Sequence, residues 1–246
     1  DVLKTARMRT AHLGESEGEI GGSHRNVKGL MRSRLPRQLV ALLEEAGRLA
    51  DRSDVALFVV GGCVRDLLLR IENLDLDLVV EGDGIAFARN LSEGLHARVK
   101  VHERFGTAVV RLPDGFTLDV ATARTEYYEY PTALPTVEQG SIKKDLYRRD
   151  FTINAMYYDP EQQLVLDYHG GMKDIRSRSL RMIGDPEARY REDPVRVLRA
   201  IRLAAKLDFS ITPDTATPIA ECAKLLESIP SARLFDEFMK LFLAGS

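Results

Sequence analysis

The chain has 246 residues, of which 44% are hydrophobic and 29% are charged, and its formal net charge is −2. No apolar run is long enough to cross a bilayer, the N-terminal residues lack the apolar core of a signal peptide, and Cys63 and Cys222 have neither metal-binding nor disulfide spacing. We therefore expect a cytoplasmic protein without a membrane segment, with one large or two modest domains.

Charge is distributed unevenly along the chain. Residues 51–140 contain 9 basic and 15 acidic side chains, a net charge of −6, whereas residues 141–206 contain 14 basic and 10 acidic ones, a net charge of +4. An acidic segment that can gather metal ions is thus followed by a basic one that can gather phosphates. Ordinary surface scatter also produces contrasts of this size, so the pattern alone favours no partner.

The first half of the chain predicts a mixture of helices and strands. Residues 1–34 are rich in Gly, Ser, Glu and Arg with little apolar periodicity, so we expect a mobile lead-in segment. An amphipathic helix follows from Arg37 to Ala50. Further apolar patterns predict strands at 55–60 and 75–80, a helix at 84–95, and strands at 97–102, 106–112 and 116–121. This order indicates an α+β fold with a small mixed or antiparallel sheet.

Beyond residue 186 the pattern becomes helical. Helices are predicted from Asp193 to about Lys206, from Thr215 to Leu226 and from near Ser231 to Leu243. Gly184-Asp185-Pro186 interrupts the chain just before them. We therefore predict a main domain at 35–183 and an all-helical unit at 184–246.

A double glycine stands between a predicted strand and a predicted helix. Gly61 and Gly62 follow the apolar run from Val55 to Val60, and Arg65 lies in the first helical turn behind them. Such a turn exposes backbone N–H groups to an anion such as a triphosphate. Many turns need glycine for geometry alone, but the arginine adds a cation where phosphates would sit.

Two aspartates on one predicted strand suggest a metal site. Asp75 and Asp77 are two residues apart, so they point to the same face of a strand whose other residues are apolar. Burying two like charges side by side is unfavourable unless a cation compensates. A third carboxylate, Asp119, lies in a neighbouring predicted strand. Three such oxygen ligands favour Mg²⁺ rather than zinc.

Two further motifs each allow two interpretations. Arg148-Arg149-Asp150 precedes an apolar segment, where an arginine could bind a phosphate and Asp150 could orient it, although adjacent arginines are usually solvated. In the segment from Glu192 to Arg202, Asp193 has the position of a helix N-cap. Alternatively, Asp193 and Arg196 form a donor–acceptor edge that reads a base; the residue pattern favours the cap.

Together these motifs resemble those of class II tRNA nucleotidyltransferases and of the bacterial poly(A) polymerases in the same superfamily. The resemblance covers about 55–246, and its motifs occur in the family's order: Gly-Gly-x-x-Arg-Asp from 61, Asp-x-Asp from 75, Arg-Arg-Asp-Phe-Thr-Ile-Asn-Ala from 148, Asp-Tyr-His-Gly-Gly-Met-Lys-Asp from 167 and Glu-Asp-Pro-x-Arg-x-x-Arg from 192. It implies a nucleotidyltransferase-type head at 35–183 followed by a neck at 184–246. One departure is Arg70, which stands where the family usually has a turn glycine.

The resemblance also implies roles for individual residues. Asp75 and Asp77 would hold two Mg²⁺ ions, which Mn²⁺ could replace, with Asp119 as a third ligand or as a base. Asp150 would also belong to the active site, as in the poly(A) polymerase branch. Nucleotide binding is implied for Gly61, Gly62, Arg65, Arg149, Asp193, Arg196, Arg199 and Arg202, of which Asp193 and Arg196 would act as the template for the incoming base. A last neck motif at 231–241 has Arg233 and Glu237 at its marked positions.

The implied activity is template-independent transfer of AMP, with CMP as an open alternative, from ATP or CTP to an RNA 3′ end. Residues 99–146 look like the branch that adds A or CCA to the tRNA 3′ end, whereas 164–246 look closer to bacterial poly(A) polymerases that extend the mRNA 3′ end. A non-catalytic RNA- or nucleotide-binding module is the alternative from another class. Intact acids at positions 75, 77 and 119 argue against it.

Overall fold

The computed structural model describes residues 23–26, 28–127 and 136–243. Its helices are α1 (Lys28–Arg34), α2 (Arg37–Arg52), α3 (Gly62–Leu69), α4 (Gly84–Gly94), α5 (Ile142–Arg148), α6 (Gly171–Arg176), α7 (Pro186–Glu192), α8 (Val195–Leu207), α9 (Pro213–Ala216), α10 (Ile219–Cys222) and α11 (Ser231–Leu243). Its strands are β1 (Ser23–Asn26), β2 (Ala56–Val60), β3 (Leu76–Glu81), β4 (Arg98–His102), β5 (Thr107–Arg111), β6 (Thr117–Thr122), β7 (Arg124–Tyr127), β8 (Thr136–Gln139), β9 (Met156–Asp159), β10 (Leu164–Asp167), β11 (Ser179–Leu180) and β12 (Ser210–Ile211).

The main sheet has eight strands in the order β1-β10-β9-β2-β3-β6-β5-β4. Within it, only β3 and β6 pair in parallel, and their register places Asp77 directly opposite Asp119. Directly opposite residues point to the same face of a sheet. The connection from β3 through α4, β4 and β5 to β6 therefore brings two distant acids side by side.

The two faces of this sheet are covered to different extents. One face is buried along β2, β3, β5 and β6 by α2 and α4, through contacts that include Leu42, Phe87 and Leu118. Among the described residues, the buried part of the other face lies mainly on β2, β3, β9 and β10, where α5 contributes Ile142 and Leu146. Alternation between buried and exposed residues along β6 reflects this one-sided burial.

A second core joins the neck to the end of the main domain. Phe151 and Ile153, which follow the double arginine, are fully buried against Tyr190 and Val197 of α7 and α8. The short strands β11 and β12 pair in parallel and connect the two parts of the chain through their backbones. The double-arginine motif is thus held at the junction between the sheet and the helices.

The α+β class and the nucleotidyltransferase-type head are confirmed, and the predicted strands from 55 to 121 agree with the structure to within two residues. The sheet is larger than expected, and the neck contains the strand β12. The predicted helix from Thr215 to Leu226 is divided into α9, α10 and a 3₁₀ turn, because Pro218 lacks the N–H that would continue it.

The lead-in segment lies partly outside the described residues, but residues 28–34 form α1 and bury Met31 in the core. The limits of the domains at 34 and 183 stay predictions. Among the described helices, none combines the length and the hydrophobicity required to span a bilayer.

Candidate active site

The double-glycine turn brings the backbone close to a carboxylate. Gly61 has a φ of +75°, a conformation that favours glycine, and a Cβ atom there would lie 3.1 Å from Oδ2 of Asp77. Gly62 begins α3, so the N-terminus of this helix lies beside the start of β3, near Asp77. The dihedral angle therefore favours glycine at 61, and a side chain there would also crowd the carboxylate of Asp77.

Three carboxylates lie together where β3 and β6 meet the glycine turn. Ligand oxygens of Asp75, Asp77 and Asp119 all lie within 4.8 Å of one another. Burial, followed by repulsion from Asp75 and Asp119, raises the pKa of Asp77 to about 6. The pKa of Asp119 is raised by the same kinds of cause, burial first. A divalent cation would relieve this repulsion, and a set of carboxylate oxygens suits Mg²⁺.

The position of Asp75 corrects one premise of the metal prediction. Asp75 precedes β3 and is exposed, because the ladder with β6 begins at Leu76. Its backbone N–H donates to Oδ1 of Asn73 at 2.9 Å, in a turn just before the strand. The expectation of two buried acids on one strand was therefore wrong for Asp75, although its carboxylate still joins the cluster.

Arg65 is held rigidly beside the glycine turn. Its side chain is only 5% exposed, and it donates to Asp66 and to Oδ1 of Asn154 at 2.6 Å each. Asn73 donates to the other carboxylate oxygen of Asp66 at 2.7 Å. Asp66 therefore orients Arg65. The guanidinium is thus fixed near Gly62, where its free edge borders the cleft.

A buried aspartate holds the double arginine. Asp145 of α5 is fully buried, and Arg148 and Arg149 contact its two oxygens at 2.6 and 3.0 Å. Tyr157 donates a short hydrogen bond to Asp145 and accepts one from Arg149 at 2.8 Å. Burial would raise the pKa of Asp145, but the two arginines and Tyr157 outweigh it and lower the pKa.

Asp150 contacts the neck rather than the double arginine. One carboxylate oxygen accepts from the Phe151 N–H at 2.7 Å and the other from Arg199 of α8 at 2.8 Å. Arg199 and Arg202 both contact Glu237 of α11, at 3.5 and 3.0 Å. The prediction that Asp150 orients Arg148 or Arg149 was therefore wrong, because Asp145 occupies that position.

The carboxylate of Asp193 does not cap a helix. Helix α8 has Pro194 at its N-cap with no side-chain cap bond, and both oxygens of Asp193 accept from Nη2 of Arg233 at 3.0 Å. Arg196 is buried and donates to the Arg189 carbonyl and to Glu192 at 2.8 and 3.0 Å. The N-cap interpretation was wrong, since the partner of Asp193 is a cation 40 residues away.

These groups surround one cleft of about 720 Å³, a volume within the usual range of small-ligand sites. Of the residues that sequence reasoning assigned to the site, all but Asp119 line it: Gly61, Gly62, Arg65, Asp75, Asp77, Arg148, Arg149, Asp150, Asp193, Arg196, Arg199, Arg202, Arg233 and Glu237. Lining residues that the sequence did not single out for the site are Cys63, Asn73, Arg124, Asn154, Leu203, Lys206 and Lys240. Asp145 was also missed, although its spacing from the arginines on α5 would have indicated it.

Family comparison gives two matches along the chain. Residues 57–181 match the poly A polymerase head domain, and residues 208–246 match the probable RNA and SrmB-binding site of polymerase A. The first match includes every element that carries the carboxylates and the double arginine. The second includes α11, which supplies Arg233 and Glu237.

Individual relatives agree with these matches. An A-adding tRNA nucleotidyltransferase of Geobacter sulfurreducens is 44% identical over 97% of this chain and 28% of its own length. Poly(A) polymerase I of Haemophilus influenzae is 39% identical over 79% of this chain and 45% of its own length. The chain thus spans less than half the length of these relatives.

Solved structures show the same architecture. An apo CCA-adding enzyme superimposes with a TM-score of 0.82 at 40% identity, over 89% of this chain and 52% of that one. The Thermotoga maritima CCA-adding enzyme complexed with tRNA superimposes with a TM-score of 0.78 at 36% identity, over 89% of this chain and 50% of that one. The resemblance noted in the sequence is confirmed. Since the head-domain match alone extends over half of the residues, the chain belongs to the family of bacterial poly(A) polymerases and tRNA nucleotidyltransferases.

Proposed function

We propose that the chain is the catalytic and base-selecting part of a template-independent RNA nucleotidyltransferase. It would transfer AMP from ATP, and in a CCA-adding enzyme also CMP from CTP, to the 3′ end of tRNA. The observation that carries this proposal is the clustering of three carboxylates beside a cleft rich in arginine. The A-adding relative and the CCA-adding structure bound to tRNA support tRNA as the acceptor.

Asp75, Asp77 and Asp119 would hold the metal. Their oxygens fit Mg²⁺ in type and in mutual distance, and Mn²⁺ has similar preferences. When bound, Mg²⁺ lowers the pKa of an attacking hydroxyl and neutralises charge on a departing pyrophosphate. Asp77 and Asp119 would also fix the direction from which both groups approach, since they lie on paired strands, whereas Asp75 contributes from the turn just before β3.

The triphosphate would lie against the glycine turn. Gly61 and Gly62 leave room for phosphate oxygens near the N-terminus of α3. Arg65 and Arg149 line the same cleft, and each is already oriented by a carboxylate of the protein. Because these guanidiniums are held in place before the nucleotide arrives, little conformational entropy would be lost when they bind phosphate.

Base selection would depend on the neck. Arg233 holds Asp193 by both carboxylate oxygens, each of which keeps further acceptor capacity. That capacity suits the exocyclic amine shared by adenine and cytosine, which guanine and uracil do not present at the same position. Arg196 lies behind Asp193 on α8 and would donate to an acceptor on the same base edge, while Arg199 and Arg202 hold α11 in place through Glu237.

Polyadenylation of mRNA is the second candidate, and the 39% identity to poly(A) polymerase I favours it specifically. The test is incubation of the full-length protein with tRNA ending in C, CC or CCA, or with an oligoadenylate primer, and each labelled nucleoside triphosphate. A single AMP added to tRNA ending in CC supports A addition, and processive extension of the primer supports polyadenylation. No incorporation into any acceptor would indicate the non-catalytic binding module.

A further inference from the structure

The outer half of the main sheet leaves one face open beside the carboxylates. Asp77, Asp119, Val109 and Lys100 form one row across β3, β6, β5 and β4, because each lies directly opposite the next in the ladder. Residues paired in this way share a face. The other face of these strands is buried in the first core, whereas Lys100 and Asp119 are exposed and Val109 is half-buried.

A set of cations, here called the basic strip, borders this open face. It consists of Arg98, Lys100 and Arg111, all exposed; Arg98 lies directly opposite Arg111 and two residues from Lys100, so all three share the carboxylate side. Across the described ranges, none of the three has an ion pair or a hydrogen bond from its side chain, and β4 and β5 place no carboxylate on this face. Neighbouring like charges without counter-charges are unfavourable, and a polyanion would offset that cost.

We propose that the basic strip binds the backbone phosphates of the RNA acceptor, so that its 3′ end crosses the open face toward Asp119. This inference deepens the proposed function and rests on it. The attacking and leaving oxygens of phosphoryl transfer lie roughly in line. The nucleotide cleft is lined from the glycine turn, the start of β3, Arg124, the segment 148–154 and the neck, with no residue of β4, β5 or β6. The acceptor must therefore arrive from the opposite side of Asp77, which is the open face.

The dimensions of the face suit a short stretch of single strand. Neighbouring strands are about 4.8 Å apart, so β4 lies roughly 10 Å from Asp119. About three stacked nucleotides at about 3.4 Å each cover this distance. The floor between the strip and the carboxylates is formed by the small side chains of Thr107, Val109 and Thr117, which leave room for riboses and bases.

The test replaces the strip in the full-length protein with Arg98→Gln, Lys100→Gln and Arg111→Gln together. Binding of a tRNA transcript ending in CC, and AMP incorporation into it, are measured from 50 to 300 mM salt. Loss of three single-strand phosphate contacts should reduce the magnitude of the slope of log binding constant against log salt concentration by about 2. The acceptor Kd and KM should then rise about tenfold or more near 0.1 M salt, with KM for ATP unchanged. A 4-thiouridine three nucleotides from the 3′ end should crosslink within residues 98–111 only in the wild type.

A matched control removes the same charge elsewhere. Arg37, Lys173 and Arg176 are exposed cations on α2 and α6, whose buried residues belong to the core under the opposite face. Their triple replacement by Gln should leave RNA binding and its salt dependence near the wild-type values. Thermal melting of both triple variants shows whether they remain folded, as expected for exposed positions.

Distinct outcomes separate the two proposals. Unchanged RNA affinity and salt dependence in the strip variant, with incorporation intact, would overturn the acceptor path while leaving the proposed function standing. If the wild type incorporates no nucleotide, the proposed function fails. The RNA-binding and crosslinking measurements then still test whether the basic strip contacts RNA. Polyglutamate is used as a model acidic protein chain. If it competes for the basic strip as strongly as RNA does, the surface binds an acidic protein instead.

Discussion

The charge of Asp77 should destabilise the folded protein in the absence of metal, and Asp77→Asn measures this cost. Burial and the neighbouring acids raise its pKa from an ordinary 3.8 to about 6. The folded state therefore binds a proton more tightly than the unfolded state does, so stability decreases as the pH rises between about 4 and 6 and stays low above that window. A shift of about two pKa units at 1.36 kcal/mol each corresponds to roughly 2 to 3 kcal/mol.

The variant lacks this ionisation, so it should be more stable than the wild type by about 2 to 3 kcal/mol at pH 7.5 and nearly equal to it at pH 4. For a chain of this size the difference corresponds to about 5 to 10 °C in melting temperature. Urea and thermal unfolding in EDTA across this pH range measure it directly. Mg²⁺ should then stabilise the wild type by mass action but not the variant, which should also lose nucleotide incorporation.

Asp236→Asn provides the control for removal of one negative charge. Asp236 is exposed on α11, and no ion pair of its side chain occurs in the described part of the chain, so the variant should remain within about 0.5 kcal/mol of the wild type at every pH. The reasoning would be refuted if Asp77→Asn were less stable than the wild type at pH 7.5. A stability difference that does not vary with pH would refute it equally, since the ionisation would then have no part in it.

Three further changes test other parts of the structure. Arg70 closes α3 with a left-handed φ of +66°, so Arg70→Gly should stabilise the fold by about 0.5 to 1 kcal/mol in thermal melting, whereas Arg89→Gly inside α4 should destabilise it by about 1 kcal/mol. Asp145→Asn leaves two arginines without their shared carboxylate, so urea unfolding should show a loss of about 3 to 5 kcal/mol and ATP should bind more weakly; intact ATP affinity would contradict a positioning role. Asp193→Asn and Arg233→Lys each disturb the contact in which Arg233 donates to both carboxylate oxygens of Asp193. Both variants should let GTP and UTP compete better with ATP in an incorporation assay with all four nucleotides. Unchanged nucleotide selectivity in both would show that Asp193 does not read the base.

The parts of the fold that the sequence predicts well are those with a strong local signal. Strands β3 to β6 carry apolar runs bounded by turn residues, and their limits were predicted to within two residues. Strand β9 was missed because its four residues are all buried and show no alternation, and the run is too short to identify a strand from its apolar residues alone. Strand β1 becomes a strand through pairing with β10, about 140 residues later, so no local pattern reveals it.

In the candidate site, too, the sequence predicts some features, whereas others depend on long-range contacts. The sequence motifs place Asp77 near the glycine turn, and a parallel register brings Asp119 to it. The partners of the charged side chains could not be read from spacing, because they come from distant elements. Asp193 was interpreted as a cap since Pro194 follows it, but Arg233 from another helix competes for its carboxylate. Local rules fail where a long-range cation provides the stronger partner.

The cleft has opposite signs of charge on its two walls, and this affects how a nucleotide arrives. Asp75 and Asp77 form one end, while Arg196, Arg199 and Arg202 belong to a wall where cations outnumber acids. In the absence of a cation, the phosphate chain of a triphosphate approaching through solvent would be attracted to the arginine wall and repelled by the acids. Because dissolved salt screens this field within about 8 to 10 Å, the effect weakens outside the cleft and persists inside it. The orientation proposed above, with the phosphates at the glycine turn, would therefore require the charge of Asp75 and Asp77 to be neutralised by a cation before the nucleotide settles.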